Sequence, residues 1–324
     1  MDLHMEKRAV GKTGLKVTPI GFGAAALGGM PETFGHDIDD ETAHATVRAI
    51  FDSPVNLLDT SRVYGFGRSE DRIGAVIRER GGLPDGFVLA TKLDRDLETG
   101  RFDASQARRS AEESLKALGV DHFQMLNLHD PEHARDLEEI RRPGGALETM
   151  FRMKEEGLAQ AVGIAMGRID VLMPLLRDWP FDVVLSHNRY SLLNRSAEPA
   201  MELAAEKQVA FFNGAPFAGG VLAKGSAAVK RITYQPVGEE ALAPVVAIED
   251  LCAREGIAPG ALALQFSLRA PRVASTIVGV SRPERVRQTL EWATAPIAEK
   301  IFDAMQEFPY SRDDPEMDRV YKPG

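Results

Sequence analysis

Four residues whose side chains can move or hold a proton lie at or near the ends of short apolar segments. Asp59 ends one segment, Lys92 ends the next and His129 ends the one after that. Tyr64 follows Asp59 by five positions, in a loop that contains two glycines. A tyrosine hydroxyl titrates at about pH 10, and a neighbouring ammonium group lowers its pKa because it stabilises the phenolate. Such a set suits proton transfer to or from the oxygen of an alcohol or a carbonyl.

Each of the four residues has a distinct expected role in that chemistry. An ion pair with Asp59 would hold the Lys92 ammonium beside Tyr64, where it would stabilise the phenolate. His129 would hydrogen-bond the substrate oxygen or the tyrosine and so orient the reacting group. Because no side chain transfers a hydride, oxidation or reduction at the neighbouring carbon requires a bound nicotinamide.

Strand-like and helical segments alternate along the chain and provide the frame for these residues. Eight short apolar segments are predicted as strands, and helical periodicity follows each of them. The predicted strands cover residues 17–23, 55–59, 87–92, 123–129, 159–165, 181–187, 209–214 and 273–279. The clearest helices are expected at about residues 40–51, 69–80, 104–118, 147–157, 240–255, 261–270 and 283–293.

This alternation predicts a closed (β/α)8 TIM barrel. Near-continuous apolar strands indicate burial on both faces, as in a parallel sheet, and eight successive units favour a barrel over an open sheet. Residues 7–18 are predicted to form an N-terminal β-hairpin that caps the bottom of the barrel. Residues 1–324 are therefore expected to form a single barrel domain with an irregular C-terminal tail at about 300–324. In such a barrel the active site lies at the C-terminal ends of the strands.

Composition limits the class of protein further. The 324 residues carry 39 Lys and Arg against 48 Asp and Glu, for a net charge of −9, and Cys252 is the one cysteine. A single cysteine excludes a disulfide framework and a multi-cysteine metal site. The acidic balance argues against a nucleic-acid surface, and no apolar segment approaches the roughly 20 residues of a membrane span. The N-terminal residues lack the apolar stretch of a signal peptide, so a cytoplasmic protein is expected.

Three further patterns need an interpretation. Residues 21–26 fit the G-x-G-x-x-A pattern of a dinucleotide-binding turn, but their small residues suit a first barrel strand and a mobile loop better. His129 and His133 have the i, i+4 spacing of a metal pair, yet Pro131 disfavours a helix there, so no metal site is expected. Phe66, close to Tyr64, is predicted to form a wall of the substrate pocket, which the tail aromatics could cover. Those tail aromatics are Phe308, Tyr310 and Tyr321.

Several segments resemble the aldo-keto reductase family. They read GFGAAALGG, NLLDTSRVYGFGRSE, LATKL, LNLHDPE, RYSLL and NGAPFAGGVLAKG, and the resemblance extends over nearly the whole chain. It implies a (β/α)8 barrel and an NAD(P)-dependent interconversion of a carbonyl and an alcohol. The family's four active-site residues correspond to Asp59, Tyr64, Lys92 and His129. Tyr64 would act as the acid in reduction and as the base in oxidation.

The resemblance also implies a set of cofactor contacts, with some departures. Ala165 and Met166 stand where many members have Ser-Asn, and His187 replaces a glutamine. Gly214 stands in place of an aromatic residue that stacks on the nicotinamide. Directly after the last strand this chain lacks the lysine found in members that bind a 2′-phosphate, so NAD is favoured and NADP stays open. The expected cofactor-binding residues are Gly23, His187, Gly214, Pro216, Gly279, Ser281, Arg282 and Arg285.

Within the family, the chain most resembles the branch that oxidises sugars, which includes D-threo-aldose, L-fucose and L-galactose dehydrogenases and a pyridoxal 4-dehydrogenase. The expected reaction is oxidation of the anomeric hydroxyl of an aldose, such as L-fucose or another D-threo-aldose, to a lactone. The alternatives are a pyridoxal 4-dehydrogenase or general aldehyde reductase, a cofactor-binding regulatory subunit, and a metal-dependent barrel hydrolase. The expected partner is a small sugar or aldehyde, and a homo-oligomer is possible.

Overall fold

Eight strands pair in parallel and close into a barrel, which confirms the predicted (β/α)8 fold. The computed structural model describes residues 5–317 and residue 319. Its strands are Arg8–Ala9 (β1), Lys16–Val17 (β2), Ile20–Gly23 (β3), Leu57–Asp59 (β4), Val88–Leu93 (β5), Phe123–His129 (β6), Ala159–Met166 (β7), Val183–His187 (β8), Ala210–Gly214 (β9), Arg231–Ile232 (β10), Gln235–Pro236 (β11) and Ser275–Gly279 (β12). Around the barrel the order is β12, β3, β4, β5, β6, β7, β8, β9.

Helices connect successive barrel strands and surround them. The α-helices are Pro31–Phe34 (α1), Asp40–Phe51 (α2), Arg68–Arg80 (α3), Ala104–Leu118 (α4), Glu138–Arg141 (α5), Ala146–Glu155 (α6), Ile169–Asp178 (α7), Glu198–Glu206 (α8), Val221–Lys224 (α9), Glu239–Glu255 (α10), Pro259–Leu268 (α11), Pro283–Thr294 (α12) and Glu299–Glu307 (α13). In the part of the chain described, none of these helices is long and apolar enough to cross a membrane.

Helix α4 illustrates why these segments adopt their structure. Its residues Ala107, Ala111 and Leu118 are buried at helical spacing and join the main apolar core. Asp103 precedes the helix, and its carboxylate accepts a hydrogen bond from the Gln106 N–H at 2.9 Å. Gly119 ends the helix with φ at 70°. The N-cap and the left-handed glycine satisfy the backbone groups that a helix leaves free at its ends.

The N-terminal hairpin closes the bottom of the barrel, as predicted. Strands β1 and β2 pair antiparallel, and Val10 and Val17 are fully buried. Both valines pack with inward-facing barrel residues such as Leu57 and Met125. Because Lys16–Val17 pairs within the hairpin, the first barrel strand begins at Ile20 rather than at residue 17. The hairpin therefore covers the end of the barrel opposite the C-terminal ends of the strands.

The expectation of an irregular tail from residue 300 is wrong for its first part. Residues 299–307 form helix α13, because Ile301, Phe302 and Met305 share one face and bury it against α10 and α11. The chain beyond that helix is irregular, and we call residues 308–317 the C-terminal strap. Ser311 in the strap forms an isolated β-bridge with Asn194. The predicted tail residue Tyr321 lies outside the described residues.

Candidate active site

The fold brings the four predicted proton-handling residues into one cavity of about 310 Å³. Asp59 ends β4, Lys92 lies near the end of β5 and His129 ends β6, so adjacent strands deliver the three side chains to the same edge. Tyr64 reaches the cavity from the loop after β4. This edge is the C-terminal end of the strands, where barrels of this kind carry their active sites.

The centre of the site is a buried ion pair beside the tyrosine. Lys92 Nζ lies 2.6 Å from Asp59 Oδ2 and donates a second hydrogen bond to the Thr60 carbonyl, also at 2.6 Å. Lys92 is only 1% exposed. Its ammonium lies 4.8 Å from the centroid of the Tyr64 ring, while the ring of His129 meets that of Tyr64 edge-on at 5.6 Å. The structure therefore places a fixed positive charge next to the tyrosine, as its predicted role requires.

The loop that carries Tyr64 is held by a close contact between two glycines. Gly65 has φ at +60°, and a Cβ there would lie 2.0 Å from the Gly28 carbonyl oxygen. A Cβ at Gly28 would lie 2.7 Å from the carbonyl carbon of Tyr64. Arg68 holds the same contact, because its Nε donates to the Gly28 carbonyl at 2.7 Å. The loop after β3 thus fixes the backbone at Tyr64.

Two carboxylates that the sequence analysis missed flank His129. Asp94 Oδ1 lies 2.5 Å from His129 Nδ1, and Asp130 Oδ2 lies 3.6 Å from His129 Nε2. Burial alone would raise the pKa of Asp130, but nearby histidine charges, His129 first among them, outweigh burial and lower it. Asp94 follows Lys92 by two positions, so inspection of charged residues just beyond the strand ends could have found it.

One end of the cavity is strongly cationic. Lys224, Arg231 and Arg285 line it, and Ser281 adds a hydroxyl. Burial lowers the pKa of Lys224, and the like charges of Arg285, Arg231 and Arg282 lower it further. Among the described residues, no carboxylate forms an ion pair with any of these four cations. Such unneutralised cations fit an anionic ligand such as the pyrophosphate of a dinucleotide.

Aromatic groups near this end fit the base of a dinucleotide. Phe217 and Trp292 line the cavity and meet edge-on, with ring centroids 5.7 Å apart, offering an apolar surface for a base.

Of the predicted cofactor-binding residues, Arg282 precedes α12 and does not line the cavity, although its charge acts on Lys224. The other predicted cofactor residues all line the cavity: Gly23, His187, Gly214, Pro216, Gly279, Ser281 and Arg285.

Phe66 does not form the pocket wall that the sequence analysis predicted. It is 64% exposed and is absent from the cavity lining. Its φ is 56°, and Gly65 and Gly67 on either side also have positive φ. Three successive left-handed residues turn the loop so that the phenylalanine faces outward. Its position beside Tyr64 in the sequence gave no signal of that turn.

Phe34 and Tyr234 supply the aromatic wall instead. Both rings line the cavity and meet edge-on, with centroids 6.0 Å apart. Burial, together with the charge of Glu316, raises the pKa of Tyr234 to about 12, so its hydroxyl stays protonated at neutral pH. The two residues come from the loop after β3 and from the turn between β10 and β11. Neither loop had a regular pattern from which this contact could be predicted.

The β10–β11 hairpin lines the cavity through Arg231 and Tyr234, and the strap is hydrogen-bonded to that hairpin at the Pro315 carbonyl; together we call the two segments the roof. Arg189, 2% exposed, binds Asp314 at 2.7 Å and Glu316 at 2.9 Å. Glu316 also lies 3.3 Å from His187 Nε2. Burial alone would lower the pKa of His187, but its hydrogen bond to Glu316 and the charge of that residue raise it. The strap thus reaches the cavity through ion pairs.

Phe308 and Tyr310, the tail aromatics among the described residues, do not cover the cavity. Phe308 packs on the apolar cluster of α10, α11 and α13. The ring of Tyr310 lies 3.9 Å from the guanidinium carbon of Arg195. Neither residue lines the cavity, and Arg319 is the residue beyond the strap that does. Within the described part of the tail, a charged side chain rather than an aromatic one therefore lines the cavity.

Metal-binding clusters are not found among the described residues. His129 and His133 belong to different elements, since His129 ends β6 and His133 ends a short 3-10 turn. Asp94 and Asp130 already contact His129 from both sides. The site is thus organised around hydrogen bonds and ion pairs within the chain.

Comparisons with known proteins agree with this arrangement. A profile of the Aldo/keto reductase family matches residues 19–309. The chain is 27% identical to pyridoxal 4-dehydrogenase of Microbacterium luteolum, over 93% of this chain and 96% of the relative. It is 28% identical to D-threo-aldose 1-dehydrogenase of a Pseudomonas species, over 92% and 96%. The solved holo form of aldo-keto reductase AKR11C1 from Bacillus halodurans has the same fold, with a TM-score of 0.76 at 22% identity, covering 98% of this chain and 100% of that one.

Proposed function

This chain belongs to the aldo/keto reductase family and is an NAD(P)-dependent oxidoreductase, and we propose that it oxidises the anomeric hydroxyl of an aldose to a lactone. L-fucose or another D-threo-aldose is the proposed substrate. The observation that carries this proposal is the buried Lys92–Asp59 pair, whose ammonium lies 4.8 Å from the Tyr64 ring. The similarity to a D-threo-aldose 1-dehydrogenase supports the choice of a sugar.

In this reaction Tyr64 takes the proton of the hydroxyl group. The Lys92 ammonium stabilises the phenolate that Tyr64 needs in order to act as a base. Asp59 keeps the ammonium in place through the 2.6 Å ion pair, because a buried charge without a partner is strongly unfavourable. His129 holds the reacting oxygen by a hydrogen bond. The hydride that leaves the anomeric carbon would go to a bound nicotinamide, because no side chain accepts a hydride.

The cationic end of the cavity is proposed to hold the cofactor's pyrophosphate. Lys224 and Arg285 provide charge, Ser281 provides a hydroxyl, and α12, whose N-terminal dipole end favours an anion, begins beside them at Pro283. Gly279, the last residue of β12, and Val280, which follows it, carry no charge that could bind a 2′-phosphate. We therefore favour NAD over NADP.

Pyridoxal is a second candidate substrate on the same site. The wall formed by Phe34 and Tyr234 offers an aromatic surface on which a pyridine ring could pack as readily as a sugar ring. The 27% identity to a pyridoxal 4-dehydrogenase supports this alternative. Tyr64 and Lys92 would act on the pyridoxal group in the same way. A general aldehyde reductase on the same site and a cofactor-binding regulatory subunit are further alternatives. The regulatory subunit predicts binding of cofactor without turnover of any substrate.

The test is to follow NADH and NADPH formation with L-fucose, L-galactose, D-arabinose and pyridoxal. We expect reduction of NAD with at least one sugar, together with a lactone that hydroxylamine traps as a hydroxamate. Turnover of pyridoxal alone would favour the second candidate. If no compound is oxidised and NADPH or NADH reduces no aldehyde, while cofactor still quenches the protein fluorescence, the regulatory role replaces the enzymatic ones.

A further inference from the structure

Asp130 places a buried carboxylate in the wall of the cavity, and no described residue donates a hydrogen bond to it. The residue is 8% exposed and lines the cavity beside His129. Its Oδ1 is buried without a partner, and its Oδ2 lies 3.6 Å from His129 Nε2, which is longer than a hydrogen bond. A buried acceptor without a donor is unfavourable. At the edge of a cavity, such a carboxylate indicates a ligand that supplies the donor.

The backbone at Asp130 does not explain the choice of an aspartate. Its φ is +41°, its N–H donates to the Ala165 carbonyl at 2.9 Å, and a short 3-10 turn begins directly after it at Pro131. Aspartate tolerates the left-handed region because its side chain can hydrogen-bond the backbone nearby. Here the Oδ1 atom has no hydrogen-bond partner of any kind among the described residues. The carboxylate therefore stays available to the cavity.

The charge of this carboxylate limits what it can bind. Burial alone would raise the pKa of Asp130, but the charges of His129 and His187 oppose burial and the pKa is lowered, so the group is ionised. An ionised carboxylate can only accept hydrogen bonds. It is matched by the hydroxyl groups of a sugar, whereas an aldehyde without hydroxyl groups offers it no donor. It would also repel a phosphate or carboxylate group on a substrate.

The place of Asp130 beside His129 indicates which hydroxyl group it meets. In the proposed reaction the anomeric hydroxyl gives its proton to Tyr64 and accepts a hydrogen bond from His129, so it has no proton left for Asp130. The anomeric carbon is also bonded to the ring oxygen, which carries no proton, and to C2, which carries a hydroxyl group. Because the carboxylate lies 3.6 Å from the His129 nitrogen, the C2 hydroxyl is the neighbouring donor within its reach.

We propose that Asp130 determines substrate specificity by accepting a hydrogen bond from the C2 hydroxyl group of the aldose. This inference rests on the proposed function, because its ligand is the sugar that is oxidised. A substrate without that hydroxyl group leaves the carboxylate desolvated and without a donor, so the site discriminates against it. Asp130 thereby favours aldoses over simple aldehydes and over 2-deoxy sugars with the same reacting group.

The test measures kcat and KM of the full chain with sugars that differ only at C2. The pairs are L-fucose with 2-deoxy-L-fucose and D-arabinose with 2-deoxy-D-ribose. In the unchanged protein we expect kcat/KM to be about 100-fold lower for the 2-deoxy sugar, as for loss of one hydrogen bond to a charged group. In Asp130→Asn this ratio should shrink to about tenfold, because a neutral amide accepts a weaker hydrogen bond. Asparagine tolerates the left-handed backbone, and comparing ratios cancels the intrinsic reactivity of the two sugars.

Glu132→Gln is the matched control, since it also replaces a carboxyl by an amide in the same turn. Glu132 Oε1 accepts hydrogen bonds from the Gly167 N–H at 2.8 Å and the Arg168 N–H at 3.1 Å, and the residue does not line the cavity. The 2-deoxy ratio should therefore stay as in the unchanged protein. L-galactose and L-fucose form a control pair of substrates, because they differ only at C6. Asp130→Asn should lower kcat/KM for both by the same factor.

Three results would overturn the proposal. Equal kcat and equal KM for both sugars of a pair in the unchanged protein would do so even if Asp130→Asn fails to fold. An equal loss of kcat/KM for both sugars in Asp130→Asn would reveal a merely structural role. An equal shrinkage of the ratio in Glu132→Gln would show that charge in this turn, not contact with Asp130, sets the preference. Each of these leaves the proposed function standing, whereas an unchanged protein that oxidises no aldose removes both.

Discussion

The bottom of the cavity, formed by the C-terminal ends of β4, β5 and β6, and the roof of the cavity are held in place by different means. At the bottom, Asp59, Lys92 and His129 stand on neighbouring strands, so backbone hydrogen bonds of the barrel set their spacing. In the roof, Asp314 and Glu316 reach the site through side-chain ion pairs with Arg189, about 125 residues earlier in the chain. The barrel thus fixes the proton-handling residues through its backbone, whereas the strap depends on a few ion pairs, so we expect that it can be loosened separately.

The largest expected effect is at the bottom of the cavity. In Tyr64→Phe, turnover should fall by about 100- to 10,000-fold, because the reacting hydroxyl loses its proton acceptor. Cofactor affinity should change by less than about twofold, since a phenyl ring keeps the packing. Steady-state kinetics and fluorescence titration with NAD measure the two quantities.

Tyr190→Phe is the matched control for this change. Tyr190 stacks on Phe266 outside the cavity lining, so its loss of a hydroxyl should leave turnover nearly unchanged. Comparable turnover in Tyr64→Phe and the unchanged protein would contradict the role of Tyr64 as the proton acceptor.

A smaller effect on turnover is expected in the roof, from Arg189→Met. The change leaves Asp314 and Glu316 buried without their cation, which costs about 3–5 kcal/mol in the free energy of unfolding. Release of the strap should raise the substrate KM more than it lowers kcat. Urea denaturation, and hydrogen exchange of residues 308–317, report the two consequences.

Arg312→Met provides the control within the same segment. Arg312 is 58% exposed and pairs with Glu198 at 2.7 Å, so its removal should cost no more than about 1 kcal/mol. Should Arg189→Met lower kcat as much as Tyr64→Phe does, with KM unchanged, the division between bottom and roof would not hold.

The smallest effect is a pH dependence of the strap. Contact with Glu316 raises the pKa of His187, so this stabilisation is complete below about pH 6.5 and is lost as pH rises through the raised value. The pKa of Glu316 is lowered, so its contribution is present above about pH 4.5 and is lost as pH falls through the lowered value. The pair thus holds the strap best at mildly acidic pH.

Hydrogen exchange of residues 308–317, corrected for intrinsic rates, should show less protection at pH 9 than at pH 6. The change should be modest, because Arg189 still holds the strap. His187→Gln should abolish the difference between the two pH values. A pH dependence that survives in His187→Gln would have to originate in another group of the roof.

The difference between the strand ends and the roof also explains which site residues could be predicted from the sequence. Asp59, Lys92 and His129 were recognisable because each follows a local apolar segment, and strand order then dictates that they meet. The pairing of Arg189 with Asp314 and Glu316 joins distant segments and has no local pattern. Phe66 was misplaced because the direction of its side chain depends on three left-handed residues. Helix α13 had a readable pattern in Ile301, Phe302 and Met305, but the Asp- and Pro-rich sequence after it suggested an irregular tail.

The contact between Gly28 and Gly65 has a practical consequence for altering substrate preference. The loop after β3 contributes Phe34 to the cavity, so it is an obvious segment to exchange or randomise. Any residue other than glycine at position 28 would press on the backbone of Tyr64. Libraries in this loop should therefore leave position 28 unchanged, and a loop grafted from a relative should be transferred together with the segment that carries the tyrosine.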